Sequence, residues 1–264
     1  MNFSRMSKII GICNQKGGTG KTTTAINLSA FLALGGEKTL LVDMDPQGNA
    51  TSGIGVSPQE NLTIYEVLIK GKGEIFSTQW ENLYLIPSSI SLTGAEIELV
   101  EFKDREERLR RFLEEIKGDF SYIIIDAPPS LGLLTLNVLV ASQSLIIPIQ
   151  CEYYALEGVS KLLRTIELVK ERLNPYLEIE GILLTMADFR TRLSLQVIEE
   201  VRKFFKERTF NTIIPRNVKL AEAPSFGKPI PFYDLYCVGA KAYLNLAQEI
   251  LRREIKIETA TTSG

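Results

Sequence analysis

Short runs of Ile, Val and Leu with little polar alternation recur along the chain, separated by longer stretches whose apolar positions return every three or four residues. The first pattern is that of strands buried on both faces of a sheet, the second that of amphipathic helices. Residues 8–13, 39–42, 83–86, 122–125, 144–149, 179–184 and 212–214 are expected to be strands. Residues 21–34, 105–116, 131–141, 156–172, 194–207 and 240–253 are expected to be helices. Strand and helix taking turns predict βαβ units, hence an α/β fold with a mainly parallel twisted sheet and helices on both faces. Gly35-Gly36 suits the end of the first helix, and Asn174-Pro175 suits a stop close to Arg172. Residues 53–79, with Gly71 and Gly73 around Lys72, break the pattern and read as an irregular surface excursion. Residues 1–257 are expected to form a single domain, and 258–264 (ETATTSG) a disordered tail.

Composition narrows the chemistry. A chain of 264 residues that is 45% hydrophobic and 23% charged has the balance of a soluble globular protein. No apolar run approaches the roughly 18 residues that a spanning helix needs, and the polar opening MNFSRMSK shows no secretory signal. That opening also leaves little room for a DNA-reading helix-turn-helix before the first strand. Cys13, Cys151 and Cys237 stand far apart without metal-ligand spacing, which suits a reduced, cytoplasmic setting. The absence of histidine excludes imidazole acid-base catalysis and His-ligated metals. Net charge is −2, yet residues 186–219 hold eight basic side chains (Arg190, Arg192, Arg202, Lys203, Lys206, Arg208, Arg216, Lys219) against four acidic ones. A basic stretch of that kind can form a face for phosphate backbones.

Three motifs carry the candidate chemistry. Gln15-Lys16-Gly17-Gly18-Thr19-Gly20-Lys21-Thr22-Thr23 lies between an apolar strand and a helical segment, the context of a P-loop. Glycines let successive N–H groups turn around an anion, and the helix N-terminus adds partial positive charge. Lys21 is expected to reach the β- and γ-phosphates of ATP, the Thr22 hydroxyl to bind Mg2+, and Thr23 to meet the α-phosphate. The loop departs from the ordinary pattern: Gln15 stands where its first glycine belongs, and Lys16 follows. Lys16 is poorly placed to fold back on its own loop's phosphates and better placed to reach a nucleotide in a facing subunit. The second motif, 40–49 (LLVDMDPQGN), puts Asp43 and Asp45 at a strand end. Asp45 is expected to orient the attacking water and Asp43 to help organise the magnesium shell. The third, 122–130 (YIIIDAPPS), has the Walker B form, with Asp126 holding Mg2+ through water and the Pro-Pro loop sensing the γ-phosphate.

Together these motifs resemble the ParA/MinD group of deviant Walker A ATPases. Residues 45–53 (DPQGNATSG), 94–99 (GAEIEL), 150–158 (QCEYYALEG), 184–186 (LTM), 214–218 (IPRNV) and 222–230 (EAPSFGKPI) are similar to the small chromosomal ParA proteins, also called Soj. The resemblance implies an ATP-sandwiched homodimer in which Lys16 touches the partner's phosphates, with Met186, Pro215 and Asn217 against the adenine. It implies a dimer that binds double-stranded DNA without sequence preference and a ParB-type centromere-binding protein that stimulates slow hydrolysis and release. It also implies a cytoplasmic, nucleoid-associated protein that does not use a membrane. The family's DNA-contacting arginines fall on Arg190 and Lys219, where lysine keeps the charge and loses the bidentate contact. Arg216 and the helix bearing Arg202, Lys203 and Lys206 are expected to extend that face.

Two other classes fit less well. A MinD-like membrane-cycling ATPase needs an amphipathic C-terminal helix with apolar bulk, and residues 247–257 lack Phe and Trp. An electron carrier of the nitrogenase-reductase type needs paired cysteines for an iron–sulfur cluster.

Overall fold

The computed structural model describes residues 7–58, 62–153 and 156–262. Residues 1–6, Tyr154 and Ala155 of the 150–158 stretch, and Ser263 and Gly264 of the expected tail lie outside the described residues. Strands β1 (Lys8–Ile12), β2 (Thr39–Asp43), β3 (Phe76–Ser77), β4 (Leu83–Ile86), β5 (Tyr122–Asp126), β6 (Ser144–Gln150), β7 (Glu178–Ala187) and β8 (Thr209–Pro215) form one sheet. Their order is β3-β4-β2-β5-β1-β6-β7-β8, and every pairing is parallel except β3 with β4. The helices are α1 (Lys21–Leu34), α2 (Asn49–Gly53), α3 (Ile64–Lys70), α4 (Leu92–Glu98), α5 (Arg108–Ile116), α6 (Leu133–Ala141), α7 (Glu157–Arg172), α8 (Arg192–Phe205), α9 (Val218–Glu222), α10 (Ile230–Tyr233) and α11 (Val238–Thr262).

Successive strand residues serve opposite cores, which is why the strands show no polar alternation. Ile9, Val42, Ile123 and Ile147 join one core with Leu68, Leu113, Leu134 and Val197 from α3, α5, α6 and α8. Ile10, Leu41, Ile124 and Ile146 join the other with Leu28 and Leu32 of α1 and Tyr243 and Leu246 of α11. The apolar face of α11 is therefore spent on α1 and the sheet. No described helix is long and apolar enough to cross a membrane.

The expected elements all occur, with three corrections. Residues 59–61 of the 53–79 stretch lie outside the described residues, but the rest of it holds α3 and β3 where an irregular excursion is expected. Thr63 caps α3, its backbone N–H donating to Glu66 Oε2 at 2.9 Å and its hydroxyl accepting from Tyr65 N at 3.3 Å. Ile64, Val67 and Leu68 then enter the core. A seven-residue helix is too short for its periodicity to stand out, and the two-residue edge strand β3 shorter still. The helix starting near residue 192 stops at Phe205 rather than 207, because Lys206 takes a left-handed φ of 50°. The final helix starts at Val238 and continues through Thr262, past the expected end at 253. No glycine or proline interrupts residues 240–262, and elongating a nucleated helix costs little.

Candidate nucleotide site and basic face

Parallel strands point their carboxyl ends to one edge, and the motifs meet there. Register sets both Asp43 and Ile12 beside Asp126. The chain leaving β1 is pinned at once: Asn14 Nδ2 donates to the Pro148 carbonyl at 2.6 Å, and Asn14 Oδ1 accepts from Lys16 N at 3.0 Å. The Thr185 hydroxyl donates to the Thr19 carbonyl at 2.8 Å. Gly18 and Gly20 adopt φ of 72° and 87°, a turn that a side chain would strain. Gly20 is the N-cap of α1 and has no side chain to offer, so the first-turn N–H groups are left for an anion. Lys21 is buried, and its Nζ donates to the Lys16 carbonyl at 3.3 Å. Desolvation pulls its pKa below the usual lysine value, opposed by Asp126, Cys13 and Asp45.

The three carboxylates differ in what they touch. Asp126 is fully buried, and neither oxygen meets a hydrogen-bond partner. Burial, then Asp43, pushes its pKa well up; the Thr22 hydroxyl and Lys21 lie near enough to pull the other way. A desolvated carboxylate without a protein donor, facing Thr22, fits the hydration shell of a divalent cation. Asp43 is different. Its Oδ2 accepts from Thr51 N at 2.8 Å and Thr51 Oγ1 at 2.7 Å, and its Oδ1 accepts from Asp45 N at 3.1 Å. Burial raises its pKa to about 6 against those bonds. Its oxygens hold the 45–51 turn. Asp45 Oδ1 accepts from Gln47 N at 3.0 Å, and Asp45 lines the cleft beside the P-loop.

That cleft has a volume of about 490 Å³ and is bordered by Gly17, Lys21, Thr22, Asp45 and Pro129. A second pocket of about 190 Å³ shares Gly20, Thr23 and Met186 with it and brings Met186, Pro215 and Asn217 together. Asn217 Oδ1 is buried there without a partner. Met186 takes a left-handed φ of 52°, a strained conformation for a non-glycine residue. Sequence reasoning missed Asn14 and Thr185, which fix the loop, and Leu220 and Ala221, which border both pockets. Asn14, a polar residue ending an apolar strand, and Thr185, inside the 184–186 segment, carried a signal in the sequence; Leu220 and Ala221 carried none.

The basic residues divide between two places. Arg190 follows β7 and holds Asp188 through Nε at 2.9 Å and Nη2 at 2.8 Å, which keeps the Asp188 carboxyl at about 2. Arg216 follows β8 and lies 3.4 Å from Glu152; Lys219 on α9 pairs with Glu222 at 2.9 Å. All three lie just beyond the carboxyl ends of β7 and β8, and Arg216 borders the smaller pocket. Arg202, Lys203 and Lys206 are not brought together with these three. Fourteen residues of α8 carry the chain roughly 20 Å back to the amino end of β8. There Phe204, Phe205 and Arg208 line a groove with Glu178 and Ile179 at the start of β7. Spacing in sequence hid this, because a helix returns the chain to the opposite edge.

An AAA domain family model matches residues 7–179. The sporulation initiation inhibitor protein Soj of Bacillus subtilis is 57% identical over 93% of this chain and 98% of its own length. The chromosome partitioning protein ParA of Myxococcus xanthus is 54% identical over 96% of this chain and 90% of its own. Among solved structures, a cobyrinic acid a,c-diamide synthase of Mycobacterium smegmatis with bound ADP and magnesium is 37% identical, with a TM-score of 0.82 over 94% of this chain and 95% of its own. The septum site-determining protein MinD of Pyrococcus horikoshii with Mg-ADP is 27% identical, with a TM-score of 0.78 over 93% of this chain and 96% of its own. A deviant P-loop, an orphaned strand-end carboxylate and near-complete coverage by these relatives lead to one conclusion: the chain belongs to the Soj/ParA family of chromosome-partitioning ATPases within the ParA/MinD group.

Proposed function

We propose that this partitioning ATPase is a slow, nucleotide-gated switch: ATP joins two copies, the dimer holds double-stranded DNA without sequence preference, and a ParB-type partner triggers hydrolysis and release. One observation supports it above others. Lys21 rests on a backbone carbonyl beside an open helix N-terminus and the unpartnered Asp126, so three unmet needs converge on one cleft. ATP and Mg2+ answer all three. Bound Mg2+ would supply charge neutralisation at the β- and γ-phosphates. Thr22 and, through water, Asp126 would hold it, while Lys21 binds the phosphates and Asp45 orients water. Asn217 Oδ1 offers an acceptor to the adenine amino group. The Lys16 side chain has no hydrogen-bond or ion-pair partner among the described residues, which leaves it free to reach a second copy's nucleotide. Low turnover alone follows from a site that its own subunit leaves incomplete.

Joining two copies doubles the face of Arg190, Arg216 and Lys219, so ATP governs DNA affinity through effective concentration. This reading places the protein in the cytoplasm on the nucleoid. Size-exclusion chromatography with ATP under non-hydrolysing conditions, with ADP, and with ATP plus plasmid DNA tests it. A dimer only with ATP, retained on DNA, is expected. A monomer saturated with ATP overturns the switch.

A further inference from the structure

Residues 45–53 form a motif in which Asp45, Gln47, Asn49 and Ser52 line the nucleotide cleft and Thr51 does not. The turn is held with unusual completeness. Thr51 is 1% exposed in the middle of the short helix α2, and its hydroxyl makes two bonds. It donates to Asp43 Oδ2 at 2.7 Å and accepts from Ser88 N at 2.9 Å, just beyond β4. The Thr51 backbone N–H adds a second bond to the same Asp43 oxygen at 2.8 Å. At the other end of the turn, Asp43 Oδ1 accepts from Asp45 N at 3.1 Å, and Gly48 N donates to the Asp45 carbonyl at 2.9 Å. One carboxylate thus ties both ends of the turn to β2, and one hydroxyl ties that carboxylate to the neighbouring strand's exit. Past the turn, a Cβ on Gly53 would lie 2.5 Å from Ile26 Cδ1 of α1, so the segment also sits flush on the P-loop helix.

We infer that Thr51 is a positioning residue for hydrolysis: its hydroxyl, bridging Asp43 and the Ser88 N–H, fixes the turn that presents Asp45 to the P-loop cleft. This rests on the proposed role of Asp45 in orienting water. The hydroxyl does not line the cleft, so it acts through the turn and not on ATP. A buried side chain that both donates and accepts cannot be replaced by an apolar isostere without leaving the Ser88 N–H unmet and the carboxylate one donor short. A loop set adrift by about 1 Å costs on the order of 100-fold in a reaction that depends on aligned groups.

The test compares Thr51→Val, which keeps the shape, with Thr51→Ser, which keeps the hydroxyl, in the full chain with Mg-ATP. Steady-state turnover, equilibrium ATP affinity and melting temperature are measured for each. Thr51→Val is expected to lower kcat by roughly 10- to 100-fold with ATP affinity within about twofold, and Thr51→Ser to recover most of the turnover. Should Thr51→Val fail to fold, Thr51→Cys reads the same loss with a weak sulfur donor of similar volume. Three results overturn the inference: turnover near parental in the variant lacking the hydroxyl, equal loss in Thr51→Ser, or ATP affinity falling in step with kcat. Asp45→Ala, run alongside, separates the two levels. Parental turnover in Asp45→Ala sinks the water-orienting role itself. A dead Asp45→Ala beside an active Thr51→Val sinks only the part given to Thr51.

Discussion

The two edges of the sheet treat charge in opposite ways. At the amino edge Lys8 Nζ lies 2.9 Å from Glu180 Oε2 and 3.1 Å from Glu254 Oε1, and the Ser144 hydroxyl donates to the same Glu180 oxygen at 2.8 Å. Arg253 donates to the Glu180 carbonyl at 2.7 Å, and the Tyr122 hydroxyl bonds Glu254. These groups satisfy one another and tie α11 to β1, β5, β6 and β7. At the carboxyl edge, Asp126 and Asn217 Oδ1 are buried without partners, and Lys21 has only a carbonyl. A finished network stabilises; an unfinished one is held open by the rest of the fold at a cost in stability and is completed by a ligand. Two lysines in one chain therefore have different purposes.

Exchanging them is the strongest way to break the comparison. Lys21→Ala should weaken ATP binding by at least about 100-fold, as expected for losing a charge-assisted contact to phosphate, while the melting temperature without nucleotide stays near parental. Lys8→Met should do the reverse, lowering stability by about 2 kcal/mol as its two carboxylates lose their cation, with ATP affinity intact. Nucleotide titration and thermal melting on both variants decide it; equal effects of either kind would dissolve the distinction. Asp126→Asn comes next. The substitution should weaken the response to Mg-ATP, read by melting curves with and without nucleotide, while the nucleotide-free protein melts near the parental temperature.

Smaller effects divide the basic residues along the same line. Arg190→Ala should weaken binding to every duplex alike and flatten the salt dependence by about one unit. Lys203→Ala, on the opposite edge, should leave that slope unchanged; fluorescence anisotropy across a salt series separates them. The least effect concerns Asp188. Arg190 lowers its folded pKa to about 2 from 3.8, so the pair's contribution is present above pH 4 and fades as pH falls toward 2. Carboxyl titration by NMR should show the Asp188 midpoint moving up in Arg190→Ala.

Much of this was written in the chain. Ile, Val and Leu runs between amphipathic stretches specified the parallel sheet, since period and length suffice to tell a doubly buried strand from a helix. Gly18, Gly20, Lys21 and Thr22 specified an anion cradle, because backbone dihedrals and donors there are local properties. The tertiary structure alone decided which groups are spent and which are free. Asp43 and Asp126 end adjacent strands in the same way, yet Thr51 bonds the first twice and the second is left beside Thr22 and Lys21 at the cleft. It also decided that Arg190 and Lys203, 13 positions apart, face opposite edges, and that Thr185 on β7 reaches the Thr19 carbonyl. Such facts depend on strand order and on where a helix returns the chain, and both are set by the packing of residues distant in sequence.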